Sequence, residues 1–135
     1  MTDDALRELL RGARTIAVVG LSPKAERPSH GVARYLQREG YRIVPVNPSH
    51  ASILGEKSFP SLREAAAHAP IEVVDVFRRS EHAGAVVDDA IAIGAKLIWL
   101  QEGVVDQGAE RRAEAAGVPL VMDRCLAVEH QRLEV

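Results

Sequence analysis

Thr15-Ile16-Ala17-Val18-Val19-Gly20 runs directly into Leu21-Ser22-Pro23-Lys24-Ala25-Glu26-Arg27-Pro28-Ser29. Consecutive apolar and β-branched residues closed by a glycine suit a strand buried on both faces of a parallel sheet. Further runs of this kind lie at Tyr41–Val46, Ile71–Phe77, Lys96–Leu100 and Val118–Met122. Helical patterns separate them. Leu6, Leu9, Leu10 and Ala13 share one helix face, as do Val86, Val87, Ala90 and Ile91 within the segment Glu81–Ile93. Gly40, Gly94 and Gly117 stand just before the next strand, where a left-handed residue commonly closes a helix. Ser61-Leu62-Arg63-Glu64 has the pattern of a capping box and starts a short helix through about His68.

Alternating strands and helices predict an α/β fold with right-handed crossovers. The expected architecture is a Rossmann-like doubly wound parallel sheet in three layers. Five strands are evident, and Ser58-Phe59 is read as a short sixth. Counted in chain order, the strands are expected in the order 3-2-1-4-5-6. That order reverses between strands one and four, and open α/β sheets bind ligands at such a switch point, beyond the carboxyl ends of the strands. The decisive loops are therefore Gly20–Ser29 and Phe77–Ser80, flanked by Asn47-Pro48 and Gln101-Glu102-Gly103.

The bulk properties narrow the function. A chain of 135 residues is read as one domain, 1–135. Its net charge of −2 makes it a poor overall match for nucleic acid, so an anionic ligand needs a local cluster of cations. The start, Met1-Thr2-Asp3-Asp4, is acidic and unlike a signal peptide. The apolar runs fall far short of the roughly 20 residues that span a bilayer, so no membrane role is expected. Cys125 is the one cysteine, which leaves no internal disulfide or multi-cysteine metal site and fits the reducing cytoplasm. No close histidine pair supports a metal.

The loops carry the chemistry. In the first, Gly20 permits a sharp turn and close approach to a ligand, Ser22 and Ser29 offer hydroxyls, and Lys24 and Arg27 offer charge. Pro23 and Pro28 stiffen a long connection. A helix starting near Ser29 aims its free amides at the switch point, as at an anion site. The competing reading is a solvated loop with Ser29 as helix cap. Arg78 and Arg79 stand side by side after the fourth strand, a crowding of charge that an anion would relieve. Arginine also matches phosphate oxygens in a forked geometry. They could instead be a solvated pair. Phe77 could stack on adenine, pack on pantetheine or belong to the core. Gly103 and Glu102 could meet a ligand closely or form a plain turn, and Asn47 could reach a ribose or adenine edge.

Glycines are absent where a Gly-x-Gly-x-x-Gly dinucleotide motif needs them, at Ser22 and Ala25. Val44-Pro45-Val46-Asn47-Pro48 supplies no acid for a ribose hydroxyl. An NAD(P)-binding oxidoreductase is therefore the weaker alternative. Five segments together resemble the coenzyme A-binding domain family. They are Ile16–Ser22, Tyr41–Pro48, Val74–Ser80, Gly94–Gly103 and Met122–Cys125. The pattern is also similar to the N-terminal domain of the succinyl-CoA synthetase α subunit, and covers about Leu6 to His130.

The resemblance implies coenzyme A lying across the carboxyl edge of the sheet. Gly20, Leu21, Ser22, Pro23, Lys24, Arg27, Pro28 and Ser29 would hold its diphosphate region. Phe77, Arg78 and Arg79 would flank the nucleotide, and Gln101, Glu102 and Gly103 the neighbouring part, with Asn47 and Pro48 beside them. Two prolines replace glycines of the synthetase loop and remove amide donors, so side chains must do more of the phosphate binding. The histidine-bearing domain of the synthetase has no counterpart in these residues.

The leading expectation is a non-catalytic module that binds coenzyme A or an acyl-CoA, as a monomer or homodimer. A third alternative is a small acyl- or thiol-transfer enzyme using Cys125, whose pKa Arg124 could lower. Cys125 could equally be a small buried hydrophobe.

Overall fold

The computed structural model describes residues 1–135. Five parallel strands form the central sheet: β1 (Thr15–Val19), β2 (Arg42–Val46), β5 (Val73–Val76), β6 (Leu97–Leu100) and β7 (Leu120–Val121). Their spatial order is β2-β1-β5-β6-β7, so the direction of winding reverses between β1 and β5 as expected. The expected third strand shrinks to one parallel bridge, Val46 with Phe59, beside β2. Pro60 follows at once and Ser61 already caps a helix, so the chain cannot extend the ladder further. β7 is likewise shorter than the run Val118–Met122.

Between β2 and that bridge lies a hairpin that the strand pattern did not suggest. β3 (Ser52–Ile53) and β4 (Glu56–Lys57) pair antiparallel through Leu54 and Gly55, both at positive φ. That backbone is the turn favoured in two-residue hairpins.

Six helices cover the two faces of the sheet. Strand alternation decides which face each core residue serves. Ile16 and Val18 of β1, Val73 of β5 and Trp99 of β6 pack with α1 (Asp3–Gly12), α2 (Pro28–Arg38) and α6 (Leu126–Arg132). Ala17, Val19, Val74, Val76 and Leu100 pack on the other face. Their partners are α3 (Leu62–His68), α4 (Ser80–Ala92) and α5 (Gln107–Ala115). Small residues, Ala65, Ala83, Ala90, Ala109 and Ala113, let the second helix layer approach the sheet closely. The result is the expected Rossmann-like α/β/α arrangement.

Local signals act largely as read. Ser61 accepts from the Glu64 N–H at 3.1 Å and starts α3, although the reciprocal bond of a full capping box is not made. Trp99, fully buried, donates from Nε1 to the Arg124 carbonyl at 2.8 Å, pinning the turn into α6 to β6. No helix is long and apolar enough to cross a membrane.

Candidate functional site

The loops after β1 and β5 leave the sheet toward opposite faces at the switch point and form two adjoining compartments. Pro28 and Phe77 line both.

The first compartment, about 420 Å³, is lined mostly by polar residues. Gly20, Ser22, Pro23, Lys24, Arg27 and Ser29 line it from the β1–α2 loop. Asn47 contributes from the end of β2, with Ser49 and His50 just beyond. Hydrogen bonds hold the loop open. Ser29, buried, accepts from the Ser22 N–H at 3.0 Å, and the Ser22 hydroxyl accepts from the Lys24 N–H at 3.1 Å. Ser29 is therefore a brace inside the first turn of α2; Arg27 occupies the cap position and Pro28 follows it. The His30 and Gly31 N–H groups already donate to the Arg27 carbonyl. The helix start thus offers fewer free amides than the sequence suggested, and Lys24 and Arg27, both exposed and without ion pairs, carry more of the charge.

Asn47 also has a different task from the expected one. Its Nδ2 donates to the Leu21 carbonyl at 2.9 Å, and its Oδ1 accepts from the Ser49 N–H at 2.8 Å. Its amide ties the β2 end to the first loop. Leu21 is fully buried, Pro48 is exposed, and neither lines a compartment.

The second compartment, about 540 Å³, is more apolar. Val32 of α2, Phe77 and Val104 face it, with Arg78, Arg79 and Glu102 around them. Arg79 caps α4 without a side-chain bond, is 83% exposed, and stands 3.9 Å from Glu81. A cation at a helix amino end meets the positive end of the dipole, which an anion nearby would offset. Ser80 joins the loops after β5 and β6: its hydroxyl donates to the Gly103 carbonyl and accepts from the Val105 N–H. The Gly103 N–H donates to Asp123 at 2.7 Å, so Gly103 serves the turn and lines neither compartment.

Cys125, half-buried at the start of α6, also lines the apolar compartment. So does Gln101, although it is only 4% exposed. Its Nε2 donates at 2.7 Å to Asp75, a fully buried acid of β5 that sequence reasoning passed over. Burial pushes the Asp75 carboxyl up to about 7, with the Gln101 bond opposing the shift. The available signal was an acid inside the apolar run Val73-Val74-Asp75-Val76. Ser49, His50, Val32 and Val104 were missed because they extend the recognised segments by a residue or two, or lie one helix turn inward.

Comparisons with known proteins give the family and the fold. The pattern of the CoA binding domain matches residues 14–131. The uncharacterized protein YneT of Bacillus subtilis (strain 168) is 39% identical over 125 residues, 93% of this chain and 91% of that protein. The structure of cell-free ID.343 from Thermus thermophilus is 40% identical and superposes with a TM-score of 0.92, covering 98% of this chain and 99% of that one. The dinucleotide-forming acetyl-coenzyme A synthetase 1 of Ca. Korarchaeum cryptofilum, in its apo form, shares the fold at 22% identity. Its TM-score is 0.73, over 84% of this chain and 27% of that one.

Proposed function

The chain belongs to the CoA-binding domain family, and from that premise we propose that it binds coenzyme A or an acyl-CoA across the two compartments as a non-catalytic module. The observation that carries the proposal is the division of the site into a polar, cationic half and an apolar half that share Phe77. Coenzyme A is divided in the same way. Its phosphates suit Lys24, Arg27 and the start of α2, through charge-assisted hydrogen bonds. Its pantetheine arm suits the walls formed by Phe77, Val32 and Val104. Phe77 lies at the junction. Arg78 and Arg79 then flank the passage from diphosphate to arm, a shift from the nucleotide contact that the sequence suggested.

Titration calorimetry with coenzyme A, an acyl-CoA and NAD tests the proposal. Saturable binding of a coenzyme A species with no NAD binding is expected; the reverse preference would install the oxidoreductase alternative. Native mass spectrometry of the purified protein would show which form it retains.

Cys125 on the wall of the apolar compartment favours a second reading, a thiol- or acyl-transfer enzyme. Turnover of an acyl-CoA that disappears in Cys125→Ala would establish it.

A further inference from the structure

β5 places an acid where a volume-filling side chain would suffice. Asp75 lies mid-sheet, in register with Val18 of β1 and Trp99 of β6, and is completely buried. Its Oδ1 accepts from Gln101 Nε2 at 2.7 Å, and its Oδ2 has no partner. A buried oxygen left unsatisfied is a standing cost, and an apolar residue of similar size would remove it. Such a group persists in a fold where it does something that packing alone does not.

What Asp75 touches is a wall residue of the apolar compartment. Gln101 has a donor end and an acceptor end, and either could face a cavity. An ionised carboxylate only accepts, so Asp75 draws the nitrogen inward. A proton on Oδ2 would still leave Oδ1 as acceptor. Gln101 Oε1 accepts no hydrogen bond from the chain. It is also not sealed away, because Asp75 Oδ2 is the one buried side-chain nitrogen or oxygen without a partner.

We infer that Asp75 is a positioning residue for the ligand site: it fixes the Gln101 amide nitrogen inward, so that the Gln101 carbonyl oxygen is the acceptor offered to an N–H or O–H donor on the uncharged arm of the ligand. The inference rests on the coenzyme A proposal above. The pantetheine arm carries amide N–H groups and a hydroxyl among methylenes, and in an apolar crevice such a donor needs a protein acceptor. Gln101 supplies one that Asp75 holds in a single orientation.

Two probes separate the arm from the phosphates: coenzyme A, and adenosine 3′,5′-bisphosphate, which lacks the arm. Gln101→Leu and Asp75→Leu should each weaken coenzyme A about tenfold, as for one lost hydrogen bond, and leave bisphosphate affinity unchanged. The double variant should be no weaker than Gln101→Leu alone. Asp75→Asn offers a donor beside its acceptor, so it no longer fixes the Gln101 amide and should weaken coenzyme A by less than Asp75→Leu does. Unchanged coenzyme A affinity in Asp75→Leu, or equal loss for both probes, would overturn the inference. Should Asp75→Leu fail to fold, unchanged affinity in Gln101→Leu overturns it instead. No coenzyme A binding by the unaltered protein would remove the coenzyme A proposal itself, and the inference with it.

Discussion

A Cβ built on Gly20 would lie 2.1 Å from the carbonyl oxygen of Phe77. The two residues follow the neighbouring strands β1 and β5, whose onward loops part at the switch point. The Gly20 N–H donates to Val46 on one side, and the Phe77 N–H donates to Val19 on the other. Gly20, at φ +87°, is thus a place where two backbones meet before either reaches a ligand. Its sequence signature is that of a ligand-approaching glycine, but the close approach is to the protein itself.

Gly20→Ala should therefore destabilise the fold, by at least about 2 kcal/mol from the left-handed backbone and the clash together. Urea unfolding would measure it. Native stability in this variant would mean that the β1 and β5 ends can move apart freely.

The cations should contribute unequally. Lys24 and Arg27 line the polar compartment without a carboxylate partner, whereas Arg79 is 83% exposed and stands near Glu81. Arg27→Ala and Lys24→Ala should each weaken coenzyme A by about tenfold or more, as expected for a charge-assisted bond, with Arg79→Ala losing less. The losses should shrink as salt is raised. Calorimetric titration at two ionic strengths would check both statements.

The sheet order was legible because β-branched runs and helix stripes recur with the right periods, from Thr15–Val19 to Leu97–Leu100. The β3–β4 hairpin was not, because Leu54-Gly55 lacks the usual asparagine or aspartate of such a turn, and strands of two residues show no alternation. For the site, loop composition singled out segments that line the two compartments. It could not tell a lining side chain from a bracing one. Ser29, Asn47 and Gly103 spend their polar groups on neighbouring loops, a fact that lies in three-dimensional contacts. Asp75 was visible as an oddity in an apolar strand, but its meaning depends on Gln101, 26 positions away.

Asp75 also fixes a pH dependence. The folded carboxyl titrates at about 7 against 3.8 when free, so between those values the folded state holds a proton that the unfolded chain releases. Its contribution favours folding below pH 3.8 and is withdrawn as pH rises through 7. Asp75→Asn should gain about 2–3 kcal/mol relative to the unaltered protein between pH 5 and pH 8. Denaturant melts across that range would show it. Equal pH profiles would mean that the acid is solvated or paired.

His130 should act in the opposite direction. It is buried beside Tyr35, whose hydroxyl shares a 2.7 Å hydrogen bond with its Nδ1, and Tyr41 packs edge-on against it. Burial holds its pKa below the ordinary 6.5, with Glu39 partly opposing. The native state therefore favours the neutral ring, and stability present above pH 6.5 is lost as pH falls toward the lowered folded value. His130→Gln should flatten the acid limb of the thermal-stability profile while leaving the Asp75 limb intact. Persistence of the acid limb would assign it to other groups.

Cys125 discriminates a binding module from a transfer enzyme. The thiol lines the compartment assigned to the arm of the ligand, but it is half-buried and forms no hydrogen bond in capping α6. A residue that only completes an apolar wall contributes surface, and alanine retains much of it. Cys125→Ala should then leave coenzyme A affinity within about twofold, less than the loss of any one hydrogen bond to a charged group. A nucleophile behaves differently: its removal abolishes acyl transfer while binding survives. Parallel calorimetry and acyl-CoA hydrolysis assays therefore separate the cases. Unchanged affinity with no turnover in either protein is the outcome expected of a module whose chemistry ends at recognition.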